Sequence, residues 1–216
     1  LGPEDFPDIN AGELGHAFAV AAKDLKRLID KTRFAISTEE TRYYLNGIYF
    51  HIADGTNGAT LRAVATDGHR LAQAELARPP GSEGMPGVII PRKTVHELHR
   101  LIEDSAETVN VAVSPAKVRF EIGSVTLTSK LIDGTFPDYG RVIPQNNDKE
   151  LRVENAAFMS AVDRVSTIAS ERGRAVKLNL AKDKLVLSVN NPEGGSATEE
   201  LDVTFAIDRA GLVGED

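Results

Sequence analysis

A short pattern, an apolar strand running into an amphipathic helix, is written three times in this chain and limits its fold more than any other feature. Ala17-Phe18-Ala19-Val20 leads into Leu25, Leu28 and Ile29. Val88-Ile89-Ile90 leads through Pro91 into Val95, Leu98 and Ile102. Leu151-Arg152-Val153 leads into Phe158, Ala161, Val162 and Val165. Spacings of three and four put each apolar set on one helical stripe. Pro91 is expected at a first helical position, where its missing N–H costs little, and Asn155 is expected as an N-cap. The copies are in register. Val20, Leu25 and Leu28 recur at an offset of 70 as Ile90, Val95 and Leu98, and at an offset of 133 as Val153, Phe158 and Ala161. Phe6-Pro7-Asp8 returns as Phe136-Pro137-Asp138 at an offset of 130. Two markers near 130 indicate a repeating unit of that size, and the offset of 70 makes each unit two similar halves.

Between the helices lie runs that alternate apolar and polar residues: Tyr43–Phe50, Thr60–Thr66, Val109–Val113, Lys117–Ile122, Val125–Lys130 and Lys184–Val189. Period-two alternation gives one buried and one wet face, as in antiparallel sheets. Turns are marked by Asp54-Gly55, Asp67-Gly68, Asp133-Gly134 and Asn190-Asn191-Pro192, and the Pro/Gly-rich stretch Arg78–Gly87 reads as the loop joining two halves. The expected class is α+β, antiparallel sheets with few helices. Residues 1–12 read as the end of a preceding unit and 13–138 as one complete unit. Residues 139–149 read as a connector and 150–216 as about half of a further unit, whose missing half leaves a sheet edge uncovered.

Composition excludes several functions. With 41% hydrophobic and 26% charged residues the chain is ordinary globular protein. It has no cysteine, hence no disulfide and no thiolate metal site, and fits a reducing cytoplasm. No run of about 18 apolar residues is present to span a membrane. A net charge of −7 argues against tight DNA binding. The charge is unevenly spread, however: the window 21–34 carries five basic residues against two acidic ones. Acidic pairs sit elsewhere, at Glu39-Glu40, Glu103-Asp104 and Glu199-Glu200.

No catalytic signature stands out. His96-Glu97-Leu98-His99 has the two histidines three apart, where a zinc helix needs four, and no third ligand is evident. The plainer expectation is that both histidines and Arg100 face solvent or DNA. Asp67 with His69 suggests acid–base chemistry, but no nucleophile motif accompanies them; a hairpin turn at Asp67-Gly68, with His69 capping or packing, is the simpler reading. Gly81, Gly84 and Gly87 do not form a dinucleotide fingerprint. Arg70 suits a carboxylate or carbonyl of a docked peptide. Arg92-Lys93 suits phosphates, and Tyr43-Tyr44 suits exposed bases or a sheet edge.

Six ordered strings give these fragments a common meaning. They are Arg42-Tyr43-Tyr44-Leu45-Asn46-Gly47, Val64 to Ala72 (VATDGHRLA), Ile90-Pro91-Arg92-Lys93, Thr128 to Gly134 (TSKLIDG), Phe136-Pro137-Asp138-Tyr139 with Arg141-Val142-Ile143-Pro144, and Asn190-Asn191-Pro192-Glu193. Together they resemble the bacterial sliding clamp family, the DNA polymerase III beta subunit, over nearly the whole chain. The resemblance implies the clamp (processivity) fold, sheets outside and helices along an inner face. It makes residues 13–138 the second of three domains and 150–216 part of the third. It also implies a head-to-tail homodimer that encircles double-stranded DNA without reading sequence and tethers the polymerase III alpha subunit, the clamp-loader delta subunit and other clamp-binding-motif proteins. A ring that holds DNA by topology needs only weak cationic contacts, which accommodates the acidic net charge. The peptide pocket implied by the resemblance uses Leu45, Thr66, Gly68, His69, Arg70, Leu71, Pro137, Arg141 and Val142, where the second and third domains meet. DNA contact falls to Tyr43, Tyr44, Arg92, Lys93, Lys26 and Arg27. No catalytic residue, metal or cofactor is implied. The alternative reading is a clamp-fold peptide-binding adaptor that does not encircle DNA. The family often has a larger side chain at Gly173, and Thr204 to Asp216 departs from the family pattern.

Overall fold

The structure, a computed structural model, describes residues 14–55, 58–103, 107–169 and 175–205. The expectations on 1–12, on Phe6-Pro7-Asp8, on Gly173 and on 206–216 lie outside the described residues. Contacts divide the chain between Asp138 and Tyr139 into two units.

The first unit runs β1 (His16–Ala21), α1 (Ala22–Thr32), β2 (Gly47–Gly55), β3 (Gly58–Thr66), β4 (Leu71–Ala77), β5 (Val88–Pro91), α2 (Arg92–Glu103), β6 (Thr108–Val113), β7 (Lys117–Ile122) and β8 (Val125–Lys130). The order strand, helix, three strands is therefore written twice, as the internal offset requires. The halves are not laid side by side. One antiparallel sheet has the order β1-β6-β7-β8 and the other β4-β3-β2-β5. Each half lends its leading strand to the sheet of the other. Pairing Val20 with Val109 and Phe18 with Val111 seats β1 in the second half, and pairing Ile48 with Ile90 seats β5 in the first.

Alternation decides which face is buried. Phe18 and Val20, then Val109, Val111 and Val113, then Val118, Phe120 and Ile122 all point into one core. Leu25, Leu28 and Ile29 of α1 and Val95, Leu98 and Ile102 of α2 join that core, so the expected helical stripes are the buried ones. The Arg78–Gly87 stretch is the inter-half loop, anchored by buried Met85 and by Ser82, whose Oγ donates to the Pro79 carbonyl at 2.6 Å.

The second unit has β9 (Leu151–Arg152), α3 (Asn155–Ser166), β10 (Lys177–Ala181), β11 (Lys184–Asn191), β12 (Gly195–Asp202) and β13 (Thr204–Phe205). Strands β10, β11 and β12 form an antiparallel sheet in that order, and β13 pairs with β9. Its core gathers Ala161, Val165, Leu185, Leu187, Val189, Val203 and Phe205. Arg164 of α3 ties the helix to β12 through a two-pronged bond to Glu199, with Nε 2.9 Å from Oε2. Within the departing segment, Thr204 and Phe205 are ordinary strand residues opposite Arg152 and Leu151.

Several local expectations are corrected. Tyr43 to Leu45 do not begin a strand. They end a 3-10 turn, Glu40–Leu45, closed where the Asn46 N–H donates to the Tyr43 carbonyl at 3.0 Å, and β2 starts at Gly47. The carbonyls of Leu45 and Asn46 are taken instead by the Ser37 and Arg92 N–H groups, at 3.1 and 2.9 Å. Pro91 closes β5 opposite Gly47, and Arg92 opens the helix. Asn155 is the first helical residue. The cap is Glu154, whose carboxylate accepts the N–H groups of Ala156 and Ala157 at 3.0 and 2.6 Å. These bonds hold the Glu154 carboxyl below its ordinary value. Strand β4 reads as Leu-Ala-Gln-Ala-Glu-Leu-Ala, good helix formers throughout, and pairing with β3 overrides that preference.

Candidate functional site

Strands β3 and β4 meet at Thr66 and Leu71, and the four residues between them form a tip held by polar bonds to the backbone. Thr66 Oγ1 donates to the Arg70 carbonyl at 2.8 Å and accepts the Gly68 N–H at 3.1 Å. Asp67 Oδ1 accepts the N–H groups of His69 and Arg70 at 2.9 and 3.0 Å, and its Oδ2 takes Arg70 Nε at 3.0 Å. This is the Asx turn that an Asp-Gly pair favours. Gly68 has φ +89°, and a Cβ there would run into the Arg42 guanidinium. The two backbone donors, then the Arg70 side chain, hold the Asp67 carboxyl below its ordinary value.

The turn expected at Asp67-Gly68 is therefore present, but His69 does not pack: it is exposed. Among the described residues no bond joins the His69 ring to Asp67, whose oxygens are taken by backbone and by Arg70. A carboxylate so occupied does not orient an imidazole, so the tip lacks the geometry of an acid–base pair. Arg70 lies with its guanidinium carbon 5.7 Å from the centre of the Phe34 ring. Phe34 is 56% exposed, and no periodic pattern marks it in the sequence.

Five of the residues expected at a peptide surface thus share one hairpin: Thr66, Gly68, His69, Arg70 and Leu71. Leu45 is buried. Pro137 is exposed beside buried Phe136, whose ring stacks on Tyr49 with centroids 4.8 Å apart. Arg141 and Val142 are exposed in the 3-10 turn Tyr139–Val142 of the second unit.

A separate cavity of about 620 Å³ opens at the start of α2. Three segments distant in sequence build it. Tyr43 and Asn46 come from the turn before β2, Pro91, Arg92, Lys93 and His96 from the β5–α2 junction, and Ile132 from the strand exit after β8. Backbone bonds fasten them: the Arg92 N–H donates to the Asn46 carbonyl at 2.9 Å and the Ile132 N–H to the Ile89 carbonyl at 3.0 Å. Gly134 lets the exit segment pass close to the tyrosines, since a Cβ there would stand 3.0 Å from Tyr44 Cβ and 3.3 Å from the Tyr43 ring. Tyr44 meets Tyr43 edge-on, centroids 5.7 Å apart, and does not line the cavity.

The six residues expected at DNA thus separate. Tyr43, Arg92 and Lys93 share the cavity, with Tyr44 behind Tyr43. Lys26 and Arg27 lie on α1 and are engaged there. Lys26 Nζ is 3.0 Å from Asp30 Oδ2 and 2.9 Å from His99 Nε2, and Arg27 donates to the Glu75 carbonyl at 3.0 Å. The cavity residues Asn46 and Ile132 were missed from sequence, and His96 was expected only to face solvent or DNA. His96 had a signal, standing one helical turn from Arg92.

His99 corrects another expectation, because it is buried rather than facing outward. It follows Val95 by four and precedes Ile102 by three, which puts it on the core stripe. There its Nε2 lies 2.8 Å from Asp30 Oδ1. Partial burial works against the charged form of Asp30, but the bonds from Lys26 and His99 prevail and hold its carboxyl below the ordinary value. Among the described residues no helix is long and apolar enough to cross a membrane. Nor does any group of three or more His, Asp or Glu stand ready for a metal ion.

Comparison with known proteins covers both units. Residues 19–138 match the family described as DNA polymerase III beta subunit, central domain, and residues 140–212 match its C-terminal domain. The chain is 56% identical over 201 residues to the beta sliding clamp of Caulobacter vibrioides, covering 93% of this chain and 54% of that protein. It is 38% identical over 204 residues to the beta sliding clamp of Escherichia coli K12, covering 94% and 54%. A crystal structure of a sliding clamp from Bartonella birtlesii, bound to griselimycin, superposes with a TM-score of 0.90 at 55% identity, over 96% of this chain and 56% of that one. A Caulobacter crescentus beta sliding clamp gives a TM-score of 0.91 at 55% identity, over 95% and 55%. The chain spans about half the length of the curated relatives it matches.

Proposed function

Because this chain belongs to the family of the DNA polymerase III beta subunit, the bacterial sliding clamp, we propose that it forms part of a processivity factor. That factor encircles duplex DNA, slides along it and tethers replication proteins. The observation that carries the reading is the tandem match of its two units to consecutive domains of the family. In this reading residues 13–138 are the central domain, 139–149 a connector, 150–216 part of the C-terminal domain and 1–12 the end of the domain before. The protein is a non-catalytic, cytoplasmic subunit of a nucleotidyltransferase holoenzyme, and its ring is a head-to-tail homodimer.

Each surface has a physical task. The hairpin tip, with Leu71 at its base and His69 and Arg70 presented outward, takes short apolar and polar motifs of partner proteins. Leu45, Pro137, Arg141 and Val142 complete the set. Partners of this kind are the polymerase III alpha subunit, the clamp-loader delta subunit and other proteins with the same linear motif. Tyr43, Tyr44, Arg92 and Lys93, with Lys26 and Arg27, contact the phosphate backbone. Such contacts give register-free, salt-sensitive attraction suited to sliding. Engagement of Lys26 with Asp30 and of Arg27 with a carbonyl keeps that attraction modest.

The experiment that tests encirclement loads the gene-length protein onto nicked circular DNA and then linearises it. Retention on the circle and loss from the linear form is the expected result. Equal retention on both forms sinks encirclement and leaves the peptide-binding adaptor as the reading.

A further inference from the structure

We propose that the cavity at the start of α2 is a seat for one nucleotide of an unpaired DNA strand. The proposal rests on the DNA-contact reading above and narrows it, from backbone attraction to a site that takes a base.

The cavity's volume, about 620 Å³, lies within the range of small-molecule sites. Its chemistry is divided as a nucleotide is divided. Arg92 and His96, one helical turn apart, and Lys93 beside them offer nitrogen donors for a phosphate, and among the described residues no carboxylate lines the cavity. Tyr43 is 53% exposed and meets Tyr44 in a T-shaped pair rather than a parallel stack, so its ring presents surface on which a base can stack. Base–aromatic stacking contributes about 1–3 kcal/mol and tolerates any sequence. Pro91 and Ile132 supply apolar wall. Asn46 adds a further polar group: its Oδ1 is closed off from solvent and accepts no hydrogen bond in the structure. A small turn of that amide would bring the unmet acceptor to a base N–H.

The occupant follows from what each form of DNA exposes. In a duplex the base faces are stacked inside, and side chains of this kind reach only phosphates, sugars and groove edges. Cations alone would serve that purpose. A cavity joining cations to an open aromatic face can be filled only where a base has left the stack, at a strand end, gap or single-stranded stretch.

The test is fluorescence polarisation at low salt, using the whole chain against a fluorescein-labelled oligothymidylate and against a blunt duplex. Tyr43→Ala is expected to weaken single-strand binding about tenfold, within the range of one lost stack, and to weaken duplex binding, where its ring finds no base to stack on, by clearly less, no more than about threefold. Tyr43→Phe is expected to bind as the wild type does. Lys93→Ala is expected to weaken both forms. Tyr43 and Lys93 are exposed, so circular dichroism should register no loss of fold. Equal losses on both DNA forms with Tyr43→Ala, or none on either, overturn the nucleotide seat. If Lys93→Ala still weakens the duplex in that case, the backbone reading stands without it. If neither DNA form binds or neither responds to Lys93→Ala, both fall together.

Discussion

Strands β2 and β10 hold the same place in their units, and their fates differ. Ile48 and Phe50 on β2 are 0% and 5% exposed, whereas their counterparts one repeat further on, Leu178 and Leu180, are 46% and 39% exposed. The strands are alike in pattern. What differs is the neighbour: β2 pairs with β3 on one side and β5 on the other, while β10 pairs with β11 alone among the described residues. In the first unit β5 arrives from the other half and brings α2 with it. An apolar strand face is thus a requirement for a partner, and the exchange of leading strands is what meets it.

The largest test of this contrast is truncation. Ile48→Ala is expected to destabilise the first unit by about 2–5 kcal/mol, because it opens a cavity in a closed core. Leu178→Ala is expected to cost about 0.5 kcal/mol, as surface changes do. Urea denaturation of both variants decides, and matched costs would mean that β10 is covered after all. A smaller effect sharpens the functional side. Arg70 and Arg164 are both ion-paired, to Asp67 and Glu199, but only Arg70 lies on the hairpin tip. Arg70→Ala is expected to weaken binding of a polymerase-derived clamp-motif peptide about tenfold, roughly 1.4 kcal/mol. Arg164→Ala is expected to leave it within about twofold. Unchanged affinity in Arg70→Ala removes that residue from the peptide surface.

The smallest effect is a titration. Asp67 and Glu154 each accept two backbone N–H groups, one in each unit, and both have folded-state values below the ordinary 3.8 and 4.5. A carboxyl lowered on folding favours the folded form above its unfolded value, and that contribution is lost as pH falls through the lowered one. Amide shifts of Arg70 and Ala157, followed by NMR from pH 6 downward, should move with midpoints below the ordinary 3.8 and 4.5. Movement centred at or above the ordinary carboxyl values would show that these turns are not held by charge.

Much of the architecture was legible because periodicity is a local signal with a physical cause. Leu25, Leu28 and Ile29 had to share a face, and so did their counterparts at Val95, Leu98 and Ile102. The hairpin at Asp67-Gly68 was legible for a similar reason, since that pair satisfies its own backbone. Pairing partners were not legible. Nothing local to Val20 says that it will face Val109, and nothing in the alanine-rich β4 says strand at all. The orientation of His99 was lost by treating two histidines as equivalent, when only one continues the apolar stripe. The cavity was half legible: Tyr43, Arg92 and Lys93 have suitable chemistry on sight. Asn46 and Ile132 enter only through backbone bonds that join segments far apart in the chain.

The traded strands also make the two halves of the first unit mutually captive. The covalent link between them is the stretch from Arg78 to Gly87. A protease that severed it would release neither piece, because each fragment would still be paired to the edge of the other's sheet. Such a clasp ties mechanical integrity to ladders of hydrogen bonds rather than to one peptide bridge.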